Sequence, residues 1–394
     1  MTVDLDKLPR SAVVPRVKRV RELIIGEGLD GLLVTRLVNI RYLTGFTGSA
    51  GLLLVTPDEM LFVSDGRYGE QAAQQLAAAE IEARIEIAGV GQREILQKAA
   101  TGLKRLGFEA SGVTWAQHRA FDRDWFPEVE LVATEEMIEG LRRVKDPGEI
   151  ARVRAACSIA DEALTDVRDS LREGVSEQDF ALELEMAMRT RGASGMSFDP
   201  IVAAGENGAK PHARPSGRRF AQGDLVVLDF GCVVDGYCSD MTRTVAIGTL
   251  DQTKRRMYEV VLASQEAGRA AVRAGASCAD IDRACREIID EAGWGDSFTH
   301  GTGHGVGLEI HEAPRVAGTG GDSLLVGDIV TVEPGVYLSD IGGVRIEDTV
   351  VVTLDGCDVL TESTKSLLTN TLRSKTPRLK TPPPKTPPLK EEPA

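Results

Sequence analysis

The sequence lacks the features that mark several specialised protein classes. Its six cysteines show no CxxC spacing, which argues against a disulfide framework or a closed thiolate zinc site and favours reduced, partly buried thiols. No apolar run approaches the length of about 18 residues that a membrane-spanning helix needs. Residues 1–15 carry too many charges for a secretory signal, so we expect a cytoplasmic protein.

Positive charge and phosphate-binding motifs are also scarce. The formal net charge is −14, which argues against a general partner of nucleic acid or of anionic membranes. There is no Walker sequence, and no GxGxxG motif follows a predicted strand. Gly48-Ser49-Ala50-Gly51 is not a nucleophile elbow, because Thr47 occupies the position where that motif has glycine. The sequence therefore offers no nucleotide site and no catalytic serine of this type.

The first 142 residues show alternating helical and strand-like patterns. Helical spacing begins near Val14, and Gly31–Thr35 is typical of a short buried strand. We expect further strands in residues 39–64, a helix opened by Asp65, and another helix over residues 93–106. This alternation predicts an α/β domain with a largely parallel or mixed sheet.

The pattern changes after a charged hinge at residues 141–149, where we place a domain boundary between residues 142 and 143. Helices are predicted from Pro147 to Arg172 and from Ser176 to Arg191, and two more follow a central hairpin. The strands are grouped, which favours an α+β domain with one antiparallel sheet and helices on its outer side.

The central hairpin turns at Asp235-Gly236, the dipeptide that best supplies the two positive φ angles of a type I′ turn. With these two residues as the loop, Val234 pairs with Tyr237, and Asp229 and Asp240 emerge on the same face, one diagonal step apart. Diagonal neighbours lie roughly 7–8 Å apart at the backbone. Both carboxylates can therefore converge on one metal ion or on a pair of ions.

Two later segments add further candidate ligands. In residues 299–314, glycines alternate with side chains, so an extended chain would place His300 and His304 on one face and leave the other bare for close backbone approach. A strand then ends at Glu333, and a further strand carries Glu347.

Together these strands would bring two aspartates, one histidine and two glutamates into one interior. Such a cluster is too costly unless cations neutralise it. A set of ligands rich in oxygen with one imidazole suits Mn²⁺, Co²⁺, Fe²⁺ or Zn²⁺.

Several motifs resemble, in sequential order, those of the pita-bread metallopeptidases, a family that includes Xaa-Pro dipeptidase, Xaa-Pro aminopeptidase and methionine aminopeptidase. They are LDFGCVVDGYCSDMTRT, HGTGHGVGLEIHE, VEPGVY and VRIED, and the match covers nearly all of residues 145–370. YLTGF and SDGRY resemble the N-terminal domain of creatinase and of the proline-specific members. The resemblance implies an α/β N-terminal creatinase-type domain (1–142) and an α+β pita-bread catalytic domain with a curved antiparallel sheet (143–372). Residues 373–394, rich in Lys, Thr and Pro, are expected to form a disordered tail.

The resemblance also assigns roles to ten residues. The metal ligands would be Asp229, Asp240, His304, Glu333 and Glu347. The substrate-binding residues would be His212, His300, His311, Tyr337 and Arg345, and the catalytic ones His212, His311 and Glu333. Two divalent ions per chain are implied, with Mn²⁺ as the leading choice and Co²⁺ or Zn²⁺ as alternatives.

The activity implied is that of an exopeptidase that hydrolyses Xaa–Pro bonds by attack of a hydroxide bridging the two ions. A dipeptidase acting on Xaa-Pro dipeptides is the leading choice. The alternatives are an Xaa-Pro aminopeptidase acting on longer peptides and a catalytically silent peptide-binding scaffold. Methionine aminopeptidase is disfavoured because that type usually lacks the front domain. The resemblance further implies a homodimer, and no nucleic-acid or membrane partner is expected.

Overall fold

The computed structural model describes residues 4–367, and the predicted tail at 373–394 lies outside them. The front half contains a six-stranded mixed sheet flanked by helices, as the alternating pattern predicts. Its strands are β1 (Gly31–Val34), β2 (Leu52–Val55), β3 (Met60–Ser64), β4 (Arg84–Ile87), β5 (Arg105–Glu109) and β6 (Glu130–Thr134). Its helices are α1 (Val13–Gly26), α2 (Leu37–Thr44), α3 (Gly69–Ala78), α4 (Gln92–Ala99), α5 (Trp115–Ala120) and α6 (Glu139–Arg143). A π-helical turn (Phe121–Trp125) extends α5.

The strand order of this sheet is β4-β3-β2-β1-β5-β6. Strand β2 pairs antiparallel with both β1 and β3, and the other neighbours are parallel. Every residue of β1 is buried, as the continuous apolar run Gly31–Val34 predicts.

Three local predictions in the front half are wrong. The segment at residues 37–44 is helix α2, not a strand. The helix buries Asn39 completely, and the Asn39 side-chain amide donates hydrogen bonds to Glu109 and Glu139. Helix α3 begins at Gly69, and Asp65 accepts hydrogen bonds from Arg67 instead of capping it. Helix α4 ends at Ala99, since residues 105–109 are recruited into the sheet as β5.

The second half is α+β and its sheets are antiparallel, which confirms the predicted class. Its helices are α7 (Pro147–Val167), α8 (Glu177–Thr190), α9 (Gln252–Ala271) and α10 (Cys278–Glu291). Its first strands are β7 (Gly195–Met196), β8 (Ile201–Ala204), β9 (Asp224–Phe230), β10 (Cys232–Val234), β11 (Tyr237–Cys238) and β12 (Met241–Ile247). The later ones are β13 (Gly303–Gly305), β14 (Glu312–Val316), β15 (Ile329–Val332), β16 (Gly335–Leu338), β17 (Gly342–Arg345), β18 (Asp348–Val352) and β19 (Cys357–Val359). The strand orders are β11-β10-β7, β12-β9-β8, β14-β13-β15-β18-β19 and β16-β17.

The central hairpin has the predicted register. Asp235 and Gly236 have φ angles of 44° and 78°, as a type I′ turn requires. Val234 pairs with Tyr237, and the same register continues through β9 and β12. Asp229 therefore lies on the same face of the hairpin as Asp240.

Strand β9 is covered on both faces. Its residues Leu228 and Phe230 pack with Phe180 of α8 in one core, while Leu225 belongs to a second core with α9 and α10. Because strand side chains alternate, Asp229 points to the same side as Leu225, toward the sheet that contains β15 and β18. The hairpin thus delivers its carboxylates to the space between two sheets.

The alternating glycines permit the close backbone approach that their spacing predicts. A Cβ atom on Gly303 would lie 2.0 Å from the carbonyl oxygen of Thr331, and one on Gly305 would lie 2.2 Å from that of Ala313. Any side chain here would push β13 away from its neighbours, so glycine fixes the position of the intervening His304.

The six cysteines form no disulfide, and five of them are buried. Within residues 4–367, none of the helices has the length and hydropathy that a bilayer span demands.

Candidate active site

Three carboxylates lie close together where β9, the start of β12 and the segment between β17 and β18 meet. Asp229 lies in β9, Asp240 directly precedes β12, and Glu347 follows Arg345 at the end of β17. One oxygen from each of Asp229, Asp240 and Glu347 lies within 4.8 Å of the others. The sequence predicted Glu347 inside a continuous strand, which is wrong: β17 ends at Arg345, β18 begins at Asp348, and Glu347 lies in the interruption between them. The Thr242 hydroxyl donates a hydrogen bond of 2.8 Å to Glu347 Oε2.

His304 and Glu333 complete the cluster from the opposite sheet. His304 is the middle residue of β13, and Glu333 directly follows β15, where Pro334 interrupts the strand. The Nε2 atom of His304 lies 3.5 Å from Asp240 Oδ2 and 3.3 Å from Glu333 Oε1. One imidazole and four carboxylates therefore face a common centre.

The electrostatics of the cluster favour cations. Burial, together with the neighbouring carboxylates, raises the pKa values of Asp240 and Glu347 well above their usual range. Burial also raises the pKa of Asp229, whereas His304 outweighs burial at Glu333 and lowers its pKa to about 2. Two buried oxygens, Asp229 Oδ1 and Glu347 Oε1, have no hydrogen-bond partner among the described residues. Unpartnered carboxylate oxygens in a buried acidic cluster are what bound divalent ions would satisfy, so these residues fit such ions.

Arg345 is the permanent cation beside the cluster. Its guanidinium donates to Asp229 Oδ2 at 2.5 Å, to the Tyr337 hydroxyl at 2.7 Å and to Thr242 Oγ1 at 3.0 Å. The same tyrosine hydroxyl lies 2.9 Å from Nε2 of His300. One positive charge only partly balances the four carboxylates, but it fixes the orientation of Asp229 and links it to His300.

A cavity of about 730 Å³ opens directly onto the cluster. Its walls include His212, His300 and His311, and the His311 ring lies 4.4 Å from that of His304. Burial lowers the pKa values of His300 and His311, so both imidazoles are neutral near pH 7 and each has one N–H. His300 donates its N–H to the Gly301 carbonyl, whereas that of His311 is available to a ligand. The cavity thus combines a neutral hydrogen-bond donor with a buried acidic floor.

All ten residues that the sequence singled out lie in or next to this site. Eight of them line the cavity. Seven of these eight belong to the acidic cluster or lie beside it: Asp229, Asp240, His300, His304, His311, Glu333 and Arg345. His212 also lines the cavity, Glu347 joins the carboxylates, and Tyr337 connects Arg345 to His300.

Sequence reasoning missed four charged residues of the cavity wall. Arg315 lies directly across from His304 in the pairing of β13 with β14, and Glu312 accepts hydrogen bonds from Arg142 and Lys145. Asp199 and Arg214 form an exposed ion pair. The signal for Glu312 and Arg315 was their position shortly after His311 on the same segment, whereas nothing in the local sequence marked Asp199 and Arg214.

Two family models match the chain. Metallopeptidase family M24 covers residues 151–354, and the creatinase/prolidase N-terminal domain covers residues 16–144. The peptidase YqhT of Bacillus subtilis is 40% identical over 90% of this chain and 99% of its own. The structure of an Xaa-Pro dipeptidase from Bacillus anthracis is 39% identical, with a TM-score of 0.87 over 90% of this chain and 99% of that one. The X-Pro aminopeptidase from Thermotoga maritima is 32% identical, with a TM-score of 0.82 over 89% and 99%.

These matches span nearly the whole described chain, and they coincide with the two halves of the fold. The front sheet falls within the creatinase/prolidase match, and the acidic cluster with its cavity falls within the peptidase match. The protein is therefore a member of metallopeptidase family M24, with the pita-bread fold behind a creatinase-type N-terminal domain.

Proposed function

We propose that this protein is an exopeptidase that hydrolyses Xaa–Pro bonds with two divalent metal ions, Mn²⁺ being the leading choice. The observation that carries the proposal is the cluster of four carboxylates and one imidazole on the floor of a 730 Å³ cavity. The likeness to an Xaa-Pro dipeptidase and an X-Pro aminopeptidase supports the substrate class. Asp229, Asp240, His304, Glu333 and Glu347 would hold the ions.

Ions bound there would supply Lewis acidity and lower the pKa of a water molecule, so that it attacks near neutral pH. The chain itself binds and orients the peptide. His212 and His311 donate N–H groups toward the oxygen of the scissile carbonyl, where negative charge develops. Glu333 carries a proton to the proline nitrogen as it leaves, and His300, held by Tyr337, lines the proline pocket. An Xaa–Pro bond has no amide N–H, so recognition depends on such a pocket.

Arg315 favours a dipeptidase over an aminopeptidase. A dipeptide ends in a free carboxylate one residue beyond the scissile bond, and that charge needs a cation at the matching depth of the cavity. Arg315 lines the cavity across from His304 and forms no ion pair among the described residues. A longer peptide has no carboxylate at that position, so it would gain nothing from Arg315.

The test compares hydrolysis of Ala-Pro and Leu-Pro with that of their amides and of Xaa-Pro tripeptides. We expect faster turnover of the dipeptides, and we expect Arg315→Met to raise KM for dipeptides with little effect on their amides. Faster turnover of the longer peptides by the unaltered enzyme would favour the aminopeptidase.

Metal dependence is tested by Asp240→Ala. The variant should lose activity and at least one bound ion per chain, measured by elemental analysis of purified protein, because Asp240 lies at the centre of the cluster. Full activity with two ions retained would refute the site. A wild-type protein without metal and without Xaa-Pro hydrolysis would indicate the peptide-binding scaffold instead.

The remaining predictions belong with this proposal. We propose a division at residues 142 and 143 between the two domains and a homodimer, which light scattering of the purified protein would test. A cytoplasmic location likewise stays a prediction, to be tested by fractionation of the cells that make the protein.

A further inference from the structure

One wall of the cavity is formed by a loop with little regular structure. It connects β8 to β9, and its residues 211–214 line the cavity, His212 among them. Residues 216–220 of this loop pair with residues 174–178 through backbone hydrogen bonds, among them one of 3.1 Å from the Gln178 amide to the Ser216 carbonyl. Residues 205–215, by contrast, belong to none of the described strands, and apart from a short 3-10 turn (Gly205–Ala209) they depend on contacts with other parts of the chain.

Glu177, the first residue of α8, supplies such contacts. It is fully buried, and its Oε1 accepts hydrogen bonds from the Ala204 amide at 2.8 Å and from the Asn207 side chain at 3.1 Å. Its Oε2 accepts from the Ser216 amide at 2.9 Å and from the Ser216 hydroxyl at 2.6 Å. One carboxylate thus joins the residues at the two ends of the loop.

The chemistry of this contact requires a carboxylate. The backbone amides of Ala204 and Ser216, the side-chain amide of Asn207 and the Ser216 hydroxyl all donate hydrogen bonds to Glu177. A glutamine would turn an NH₂ group toward one pair of these donors and leave buried groups unpaired. The first turn of α8 also favours the negative charge, because the helix dipole is positive at that end.

The far side of the loop rests on the strand that carries Arg345. The Pro211 carbonyl accepts a hydrogen bond of 3.2 Å from Arg345, and a Cβ atom on Gly343 would lie 1.9 Å from the carbonyl oxygen of Gly208. The loop is therefore held between Glu177 and the edge of the acidic cluster, with His212 between the two attachments.

We propose that Glu177 is a positioning residue for peptide hydrolysis: it closes the loop 205–215 and so places His212 against the scissile carbonyl. The catalytic part of this inference rests on the proposed function, whereas the closure of the loop does not. Glu177 belongs neither to the residues that line the cavity nor to the carboxylates of the acidic cluster.

The experiment compares Glu177→Gln with Glu183→Gln, an identical change on the exposed side of the same helix. In Glu177→Gln we expect faster hydrogen exchange of amides in residues 205–216 and an unchanged metal content. We also expect kcat/KM for Ala-Pro to fall roughly 10- to 100-fold, because small displacements of a positioned group are costly. Glu183→Gln should match the wild type in all three measurements.

A double-mutant cycle with His212→Ala separates positioning from general destabilisation. If Glu177 acts through His212, the alanine change costs only about threefold or less in the Glu177→Gln background, since the two residues act as a unit. Multiplicative losses, or wild-type exchange in the loop, would overturn the proposal.

Two outcomes need a separate measurement. Should Glu177→Gln fail to fold, Ser216→Ala decides, because it removes one of the hydrogen bonds and should shift exchange and kcat/KM in the same direction by less. Should the wild type hydrolyse no Xaa-Pro peptide, the proposed function fails, while exchange in the two glutamine variants still tests whether Glu177 closes the loop.

Discussion

Asp240→Asn is expected to stabilise the protein once its metal ions have been removed, even though the same change should abolish activity. The ligand oxygens of Asp229, Asp240 and Glu347 lie within 4.8 Å of one another. Two unit charges 4.8 Å apart repel by about 3.5 kcal/mol at an effective dielectric constant of about 20, and closer charges repel more strongly. Asparagine keeps the shape of the side chain and removes one charge, so about 3.5 kcal/mol or more is relieved for each ionised neighbour.

The assay is denaturant unfolding in the presence of EDTA, at pH 9 and at pH 5.5. The carboxylates are more ionised at pH 9 than at pH 5.5, and at pH 9 Asp240→Asn should have the higher free energy of unfolding. At pH 5.5 the gain should shrink, because burial raises the pKa of Asp240 and that of Glu347, and both can take up protons. With Mn²⁺ at pH 7.5 the order should reverse, since ions that bind only the folded wild type stabilise it.

Asp328→Asn is the matched control. Asp328 is also fully buried, but it accepts hydrogen bonds from Arg143 and from the Leu325 amide. The change removes the only buried charge that pairs with Arg143 among the described residues and leaves the half-exposed Asp322, so it should destabilise the protein by roughly 3 kcal/mol in EDTA and in Mn²⁺ alike. A metal-stripped Asp240→Asn variant that is less stable than the wild type at pH 9 would refute the electrostatic account of the cluster.

Two further predictions follow from the same structure. Burial and nearby carboxylates raise the pKa values of Asp240 and Glu347, so the metal-stripped native state binds more protons than the unfolded chain. The free energy of unfolding should therefore fall as pH rises from 5 to 9. A flat profile in EDTA would contradict this. Gly303→Ala should destabilise the protein by about 1–3 kcal/mol, because the added Cβ would lie 2.0 Å from the Thr331 carbonyl oxygen. Gly140→Ala should not destabilise it, because the space around that Cβ is open. Thermal unfolding of both variants measures the difference.

The site could be predicted where local chemistry decides the geometry. The Asp235-Gly236 turn fixes the hairpin register, and the register alone places Asp229 and Asp240 on one face. The alternating glycines likewise predict the close packing around His304. In each case a short stretch of chain determines the result without reference to distant residues.

Predictions failed where distant contacts decide. Glu347 looks like a strand residue because apolar and β-branched residues surround it, yet the strand is interrupted there: β17 pairs with β16 and β18 pairs with β15, so that Arg345 contacts Asp229 and Glu347 lies close to Asp240. Glu177 looks like an ordinary residue of a first helical turn, since its partners at 204, 207 and 216 are brought to it only by the folded sheet.

The misassigned helix α2 shows how the front half serves the cavity, although none of its residues lines it. Asn39 of α2 accepts a hydrogen bond of 2.8 Å from Arg142, a fully enclosed side chain. The same guanidinium donates to Glu309 at 2.8 Å and to Glu312, which lie two residues before and one residue after His311. If residues 37–44 formed a strand instead of a helix, Asn39 would not be placed beside Arg142, and this buried guanidinium would lose one of its hydrogen-bond partners. The front domain thus contributes to the proposed reaction by fixing the segment that carries His311.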